Sequence, residues 1–325
     1  MSIQAENQKN LMLFSGRAYP ELAEEIADAL GTKVTETTAY DFASGEIYVR
    51  FKESVRGSDA FLVQSMGVPV NEWVMETLLM TDALKRGSAK RITVVLPFYP
   101  YARQDKKHRG REPISARLIA DLLHTAGADR ILTVDLHSSQ IQGFFNGPVD
   151  HLFAMNTLTD YIGKKYSGQD LALVSPDAGR VKVAERWANA LGGLPLAIVH
   201  KTRDPNVPNQ VVANRVVGDV RGKVCIVADD MIDTAGTICK AAEALFNEGA
   251  ADVIVAATHG VLSAPATERL RESKVSEVVL TNTLPIPENK QFDGLTVLSI
   301  APLIARAIFE VFDDGSVTDL FNGDS

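Results

Sequence analysis

The stretch Val224-Cys-Ile-Val-Ala-Asp-Asp-Met-Ile-Asp-Thr-Ala-Gly-Thr-Ile238 decides the fold of this chain. Its first five residues are continuously apolar, which is typical of a strand buried on both faces of a parallel sheet. Two acids follow, and small residues then open an amphipathic helix. A strand that passes through a short loop into a helix is the repeating unit of α/β proteins, which bind ligands at the carboxyl ends of their strands.

The loop after this strand predicts a phosphate site. Free N–H groups at a helix start, with the helix dipole behind them, attract an anion. Gly236 permits close backbone approach, and the hydroxyls of Thr234 and Thr237 can add hydrogen bonds. The carboxylates of Asp229 and Asp230 suit sugar hydroxyls or magnesium. A simple helix cap is the alternative, but a cap does not require paired acids directly after a buried strand.

The same alternation of strand and helix runs along most of the chain. We predict strands over 11–15, 60–64, 92–98, 131–135, 171–175, 196–200, 224–229, 253–258 and 278–281. We predict helices over 21–30, 72–85, 114–126, 181–191 and 237–247, and a hairpin over 40–51. The length of 325 residues suggests two domains at roughly 150 residues each. We therefore expect two doubly wound α/β domains, with a boundary near 150–156.

Composition and charge exclude several classes of protein. The chain has 33 Lys and Arg against 41 Asp and Glu, a net charge of −8, which argues against a general nucleic-acid binder. No apolar run approaches the roughly 20 residues of a membrane span, and the N-terminal residues lack the apolar core of a signal peptide. We expect a cytoplasmic protein in which Cys225 and Cys239 are packed thiols and not a disulfide pair.

Several motifs together carry a family resemblance. They are the 229–237 loop, Phe98-Tyr-Pro-Tyr-Ala-Arg-Gln-Asp-Lys-Lys107, Asp135-Leu-His-Ser-Ser-Gln-Ile-Gln-Gly-Phe-Phe145, Ser175-Pro-Asp-Ala-Gly179 and Thr258-His-Gly260. The loop resembles the phosphoribosyl pyrophosphate loop of type I phosphoribosyltransferases. The whole set resembles the ribose-phosphate pyrophosphokinases, also called phosphoribosyl pyrophosphate synthetases, in their common phosphate-activated bacterial class. The resemblance extends over about 11–321, nearly the whole chain.

The resemblance implies an activity and an architecture. The enzyme would transfer the β,γ-diphosphoryl group of ATP to the C1 hydroxyl of ribose 5-phosphate, giving phosphoribosyl pyrophosphate and AMP for nucleotide biosynthesis. Its domains would be phosphoribosyltransferase-like over 9–155 and 156–303, with a tail over 304–325 packing back on the first domain. The family also implies Mg²⁺ as cofactor, a projecting β-hairpin, a homo-oligomer (a hexamer built from dimers), and phosphate and ADP as effectors.

The resemblance assigns catalysis and ATP binding to specific positions. Lys201 and Arg203 match the cations that stabilise the transition state, and the 204–210 segment resembles a loop that closes over the site. The matching ATP contacts are Phe42, Ser44, Gly45, Glu46, Arg103 and Gln104. The 103–111 segment holds five Arg or Lys residues, which supply the field that an anionic nucleotide needs. Relatives usually carry Asp or Asn where this chain has Ser44.

The remaining assignments concern the sugar phosphate, the metal and the effectors. Ribose 5-phosphate contacts match Arg203, Asp229, Asp230, Asp233, Thr234, Ala235, Gly236 and Thr237. The pyrophosphate loop matches Asp177, Ala178, Gly179 and Arg180, and the magnesium-linked residues match His137 and Asp177. The effector site matches Ser54, Arg56, Ser88, Arg111, Ser316, Val317 and Phe321. His137 has two possible roles: it either ligates the metal or only makes a hydrogen bond. The second role is an alternative because magnesium prefers oxygen ligands. Many relatives have a second glycine in place of Arg180, whose side chain either adds a cation or tightens the turn.

Two other functions fit parts of the sequence. A plain phosphoribosyltransferase shares the 229–237 loop, but it normally needs one such domain and lacks the 42–46 and 103–107 elements. A non-catalytic regulatory subunit of a synthetase is expected to lose or interrupt the segment around Lys201 and Arg203, which is intact here. Formation of AMP from ATP and ribose 5-phosphate distinguishes all three possibilities.

Overall fold

The computed structural model describes residues 9–203 and 211–321, with the backbone alone at 201–203 and 211–214. Its strands are β1 (Leu11–Ser15), β2 (Thr37–Asp41), β3 (Ile47–Phe51), β4 (Asp59–Val63), β5 (Arg91–Leu96), β6 (Arg130–Val134), β7 (Val149–Leu152), β8 (Leu171–Ser175), β9 (Leu196–Arg203), β10 (Val211–Val217), β11 (Val224–Ile232), β12 (Asp252–Gly260), β13 (Glu277–Thr281) and β14 (Leu295–Leu298). Its helices are α1 (Pro20–Leu30), α2 (Val70–Arg86), α3 (Ser115–Ala126), α4 (Met155–Lys165), α5 (Val181–Ala190), α6 (Gly236–Asn247), α7 (Ala266–Glu272) and α8 (Ala301–Asp313).

The first of two compact units extends to Phe153 and includes the chain from Ala301 onward. Its five-stranded parallel sheet has the order β1-β4-β5-β6-β7. The strands β4 and β5 are almost wholly buried, because helices cover a parallel sheet on both faces. The hairpin β2–β3 forms a separate two-stranded sheet, and α2 packs on β3.

The helix α8 completes this first unit. The apolar face of α8 packs on α1, and both helices bury one side. The turn after α8 is held by Asp314, whose carboxylate pairs with Arg91 at 2.7 Å and with Lys9 at 2.5 Å. Further along, Phe321 packs edge-on against Phe153, with 5.5 Å between ring centroids. The C-terminal segment is therefore an integral part of the unit that the N-terminal residues begin.

The second unit, Ala154–Ile300, has a seven-stranded sheet in the order β10-β9-β8-β11-β12-β13-β14. The central strand β11 pairs in parallel with β8 and β12. The strand β10, which was not predicted from the sequence, pairs antiparallel with β9 at the edge of this otherwise parallel sheet. The connection over 204–210 explains the difference, because a parallel crossover needs a dozen or more residues.

An acidic side chain organises the amino edge of the second sheet. Glu277 begins β13, and its side chain is only 4% exposed. Tyr161 and Lys165 donate hydrogen bonds to its Oε1 at 2.7 and 2.8 Å, and Tyr166 and Thr296 also donate to the carboxylate. Burial by itself raises the pKa of Glu277, but these donors outweigh it and lower the pKa to about 2. The carboxylate is therefore ionised and saturated with donors.

The predicted α/β fold class with parallel sheets is confirmed. Most predicted strands and helices lie within two residues of the observed ends, and the exceptions are β9 and β11, which each extend three residues further than predicted. The strand β5 ends at Leu96, two residues before the predicted Phe98. Pro97 follows, and proline has no N–H to donate to a neighbouring strand. Cys225 is buried, Cys239 is half-buried, and both are free thiols, as predicted. Across 9–203 and 211–321, every helix is too short or too polar to cross a membrane.

Candidate active site

Two carboxylates lie at the carboxyl end of the central strand β11. Asp229 and Asp230 follow five buried residues of this strand, and their side chains are 18% and 8% exposed. The strand continues to Ile232, three residues beyond the predicted end, so both acids belong to the strand and not to the loop. The sheet therefore fixes their backbone positions.

The predicted phosphate loop connects β11 to α6. Its Ala235 is buried and takes a left-handed conformation with φ 59°, which is uncommon for a residue other than glycine. The α7 side chain of Arg269 donates to the carbonyl of Thr234 at 2.9 Å. A Cβ atom at position 236 would lie only 3.2 Å from the Arg269 guanidinium, which is a tight contact. Glycine at this position therefore lets Arg269 approach the loop closely. Sequence reasoning did not identify Arg269 as a residue that holds this loop.

A second loop follows the neighbouring strand β8. The Oδ1 atom of Asp177 accepts hydrogen bonds from the N–H groups of Gly179 at 2.8 Å and Arg180 at 3.2 Å. The hydroxyl of Ser175 donates to the carbonyl of Asp177 at 2.7 Å. The resemblance assigns the N–H groups of Gly179 and Arg180 to pyrophosphate binding and the carboxylate of Asp177 to magnesium. Here these N–H groups donate to that carboxylate. An incoming anion would have to replace the Asp177 carboxylate at these donors.

The side chain of Arg180 joins the two loops. Its Nη2 lies 2.6 Å from Asp230 Oδ1, and its Nε lies 3.4 Å from Asp229 Oδ1. The guanidinium is only 18% exposed. Of the two alternatives that the sequence leaves open for Arg180, the structure shows that its side chain adds a cation. This cation faces the acids that the resemblance assigns to the sugar.

Burial and the adjacent carboxylate of Asp230 raise the pKa of Asp229, while the guanidinium of Arg180 opposes the increase. Two neighbouring carboxylates repel each other, and the repulsion is strong where little water screens it. The net effect is an increase, so Asp229 takes up a proton more readily than an ordinary aspartate, and the guanidinium of Arg180 limits this increase. The junction of the two loops is thus a pair of carboxyl groups that share one guanidinium.

The predicted catalytic residues lie at the end of β9. Lys201 pairs with Asn214 of β10, and Arg203 pairs with Val211, while β9 runs parallel to β8 on its other side. The side chains of Lys201 and Arg203 lie outside the described part of the chain, and so does the predicted loop over 204–210. Their backbone positions place them one strand away from the 177–180 loop.

The first unit carries the other predicted residues at the carboxyl ends of two adjacent strands. Arg103 and Gln104 are exposed in the loop after β5, where Ser115 donates to Gln104 Oε1 at 2.6 Å. His137 is half-buried just after β6. The N–H of Leu136 beside it donates to His151 Nε2 at 2.8 Å, a contact that the sequence did not indicate.

The predicted ATP-binding hairpin presents an exposed tip. Phe42 is 46% exposed, and its N–H donates to the carbonyl of Glu46 at 2.8 Å. Gly45 has φ 86°, a conformation that favours glycine. The hydroxyl of Ser44 donates to Glu46 Oε2 at 2.9 Å, so the unusual serine orients the neighbouring acid. The tip offers an aromatic ring and a carboxylate side by side.

The residues of the predicted effector site belong to several segments of the first unit. Ser54, Arg56 and Ser88 are exposed, and the carbonyl of Ser88 accepts from Gly57 N at 2.8 Å. Arg111 is exposed in the loop before α3. Ser316 and Val317 line a cavity of about 460 Å³ together with Arg130 and Asp150. Phe321 is buried.

Within 9–203 and 211–321, no three side chains of His, Cys, Asp or Glu converge into a group that could hold a metal by themselves. Magnesium usually keeps several waters and takes one or two carboxylates together with the phosphates of its substrate. Asp177, Asp229 and Asp230 supply oxygen donors of this kind at the carboxyl edge of the second sheet. The donor set fits a magnesium ion that arrives with a nucleotide.

Comparisons with known proteins agree on one family. Residues 11–127 match the family model described as the N-terminal domain of ribose phosphate pyrophosphokinase, and 194–322 match that of a phosphoribosyl synthetase-associated domain. The chain is 67% identical over 320 residues to the ribose-phosphate pyrophosphokinase of Mycobacterium tuberculosis and 66% identical to that of Streptomyces coelicolor, covering 98% of each chain.

A solved structure has the same fold. The phosphoribosylpyrophosphate synthetase of Mycobacterium smegmatis superposes with a TM-score of 0.90 at 65% sequence identity. The match covers 94% of this chain and 100% of that one. Sequence and structure comparisons therefore both extend across the two compact units.

Proposed function

Because this chain belongs to the ribose-phosphate pyrophosphokinase family, we propose how its own residues carry out that family's synthesis of phosphoribosyl pyrophosphate. The reaction moves a diphosphoryl group from ATP to the C1 hydroxyl of ribose 5-phosphate. The observation that carries the proposal is the junction of β11 and α6, where paired carboxylates stand directly before a helix N-terminus. Carboxylates accept from sugar hydroxyls, and N–H groups at a helix start bind a phosphate.

The sugar phosphate occupies this junction in our proposal. Asp229 and Asp230 accept hydrogen bonds from the ribose hydroxyls, and the loop of Asp233, Thr234, Ala235, Gly236 and Thr237 binds the 5-phosphate. The left-handed Ala235 supports this role, because strained backbone is tolerated where the surrounding structure fixes a ligand loop. The loop holds the 5-phosphate and the two acids hold the hydroxyls at the other end of the sugar. The C1 hydroxyl is therefore presented to ATP in one orientation.

The pyrophosphate group lies against the neighbouring loop of Asp177, Ala178, Gly179 and Arg180. Asp177, with His137 as a candidate, would hold a magnesium ion that neutralises charge on the triphosphate. The N–H groups of Gly179 and Arg180, which now donate to Asp177 Oδ1, would become donors for the anion if that carboxylate turned away from them. Lys201 and Arg203, at the end of the adjacent strand β9, stabilise the charge that develops during transfer.

The nucleotide is bound by residues of the first unit. Arg103 contacts its phosphates, Gln104 its adenine side, and the tip of the hairpin contributes Phe42, Ser44, Gly45 and Glu46. The exposed ring of Phe42 offers a stacking surface, and the carboxylate of Glu46 accepts from an amino group or a ribose hydroxyl. We propose that the hairpin serves the ATP site of a neighbouring subunit in a homo-oligomer, a hexamer by family, so activity depends on assembly.

The direct test is AMP formation by the purified chain supplied with ATP, ribose 5-phosphate and magnesium. We expect one AMP for each phosphoribosyl pyrophosphate formed. A plain phosphoribosyltransferase uses phosphoribosyl pyrophosphate as a substrate and forms no AMP from ATP and ribose 5-phosphate, and a regulatory subunit forms neither product alone. We place the enzyme in the cytoplasm, because its two free thiols fit a reducing compartment.

Replacing Asp229 with asparagine tests the sugar site. We expect the KM for ribose 5-phosphate to rise about 10- to 100-fold, because a hydrogen bond to a charged group contributes about 1.5–3 kcal/mol. The KM for ATP should change little. Asp219→Asn, at an exposed position before β11, is the matched control. A loss of ATP affinity with unchanged sugar affinity would contradict the assignment.

Replacing Arg56 with alanine tests regulation. We propose that phosphate activates and ADP inhibits at a site that Ser54, Arg56, Ser88, Arg111, Ser316, Val317 and Phe321 form between subunits. Ordinary allosteric coupling changes affinity between effector and substrate by about 5- to 150-fold, and Arg56→Ala should weaken phosphate activation and ADP inhibition together. Steady-state assays across phosphate and ADP concentrations measure this, with the exposed Lys90→Ala as control. Phosphate-independent activity in the unmodified enzyme would refute the site.

A further inference from the structure

A chain of polar contacts runs from the core of the first unit to the tip of the hairpin. It begins at Glu76 of α2, whose side chain is completely buried. Gln64 Nε2 donates to Glu76 Oε1 at 3.0 Å, and the N–H of Arg17 donates to the same oxygen at 2.7 Å. The guanidinium of Arg17 pairs through Nε with the other oxygen, Oε2. Backbone and side chain of Arg17 are thus both fixed on one buried acid.

The outer end of the same guanidinium reaches the hairpin. Arg17 Nη2 lies 2.8 Å from Asp41 Oδ1, and Nη1 lies 3.3 Å from Oδ2, a two-pronged contact. Asp41 is the last residue of β2 and directly precedes Phe42. The guanidinium also lies over the ring of Trp73, 5.9 Å from its centroid. One side chain therefore bridges the core and the residue that directly precedes the tip.

The buried acid explains why this bridge is stiff. A carboxylate without water needs a paired charge, so Arg17 cannot leave Glu76 without a large penalty. Planar guanidinium geometry then sets the direction in which the remaining N–H groups point. The hydrogen bond from Arg17 holds the pKa of the Asp41 carboxyl below its usual range, so Asp41 is ionised at neutral pH. Asp41 is held by a cation whose position the core determines.

The opposite end of the hairpin is anchored differently. Phe51 packs on Phe14 in the core, with 4.7 Å between ring centroids. Beyond this apolar base the hairpin leaves the body, and its tip over 42–46 is exposed. A small rotation at the base moves the tip of such an arm by a larger distance. A second anchor next to the tip removes that freedom.

We infer that Glu76, Arg17 and Asp41 form a tether that orients the hairpin, which makes Arg17 and Asp41 positioning residues for ATP binding. The inference rests on the proposed ATP role of Phe42 and Glu46. It goes beyond that role, because the tether residues act through the hairpin and do not themselves contact the nucleotide. With the tip held in one direction before ATP arrives, less freedom is lost on binding.

Asp41→Asn tests the tether and leaves the Glu76–Arg17 pair intact. We expect the KM for ATP to rise about fivefold, equivalent to about 1 kcal/mol at 1.4 kcal/mol per tenfold change. The KM for ribose 5-phosphate, kcat and the melting temperature should change little, since a half-exposed ion pair adds little to global stability. Hydrogen exchange at the amides of Phe42 and Gly45 should become faster.

The matched control is Glu36→Gln. Glu36 pairs with Lys52 at the open end of the same hairpin, and both side chains are exposed. Removing this pair deletes a charge from the hairpin without touching the tether, so ATP affinity and exchange at the tip should stay as in the unmodified enzyme. Equal effects of Asp41→Asn and Glu36→Gln would overturn the inference, because the cause would then be the charge of the hairpin.

Two further outcomes separate the tether from the proposed function. A raised KM for ATP without faster exchange at the tip in Asp41→Asn would mean that Asp41 touches the nucleotide, which refutes the tether. Glu46→Ala, measured in parallel, reports on the hairpin itself. If Glu46→Ala raises the KM for ATP and Asp41→Asn does not, the tether is wrong and the ATP role stands. If neither variant changes it, the ATP role of the hairpin fails.

Discussion

Replacing Lys201 with alanine should lower kcat about 10²- to 10³-fold and leave the KM values for ATP and ribose 5-phosphate nearly unchanged. A positioned cation acts on charge that develops only in the transition state, and losing one such contact costs about 2.7–4 kcal/mol. Charge on the transferring group is spread over its phosphoryl oxygens, so stabilisation by cations provides much of the catalysis. Rapid-quench measurement of AMP formation separates this step from product release.

Two companion variants sharpen the test of Lys201. Lys201→Arg keeps the positive charge but places it on a planar guanidinium. It should therefore retain part of the kcat that Lys201→Ala loses. Lys274→Ala removes an exposed lysine from the same unit and should behave like the unmodified enzyme. Turnover close to normal in Lys201→Ala would remove this residue from the mechanism. A large rise in the KM for either substrate with normal kcat would make it a binding residue.

Replacing Glu277 with glutamine should destabilise the second unit by about 1–3 kcal/mol, because one oxygen of a buried carboxylate becomes an amide N–H₂ and leaves its donors unsatisfied. Trp187 lies in this unit and Trp73 in the other, and the chain has two tryptophans. Denaturation followed by the emission of Trp187 in a Trp73→Phe background therefore reports the second unit. Glu272→Gln, an exposed acid on α7, is the control.

The same variant gives a pH signature. The pKa of Glu277 in the folded protein, about 2, is below that of an ordinary glutamate. Its contribution to the free energy of unfolding is therefore complete above about pH 4.5 and is lost as the pH falls toward 2. The stability of the unmodified protein should fall more steeply than that of Glu277→Gln between these pH values. Equal slopes, or a variant as stable as the parent at neutral pH, would show that the network contributes little.

Much of the fold could be predicted because its strands are short, continuously apolar runs. The elements that the sequence did not indicate are mainly short and partly exposed, such as β7, β14 and α7. Four residues with mixed polarity cannot be distinguished from a loop by periodicity. The helix α8 is a different case, because its apolar residues recur at helical spacing and could have been found.

The candidate site also has features that could be predicted from the sequence and features that could not. The acids and small residues of the β11–α6 junction are consecutive, so their chemistry could be inferred directly from the sequence. The pairing of Arg180 with Asp229 and Asp230 joins two loops after neighbouring strands, and only the packing of β8 on β11 creates it. The tether from Glu76 through Arg17 to Asp41 likewise joins three separate elements. Contacts of this kind have no local pattern that a single sequence could reveal.

The packing of α8 on α1 has a consequence for biosynthesis. The ribosome releases α1 early, but the helix that covers it is made near the end of the chain. At about 5–20 residues per second, the stretch between Phe153 and Ala301 takes roughly 7–30 s to translate. Throughout that time Leu22 and Ile26 of the nascent chain lack their partner helix. Newly made protein should therefore depend on chaperones until α8 has been made, and chains truncated before α8 should be cleared by proteases.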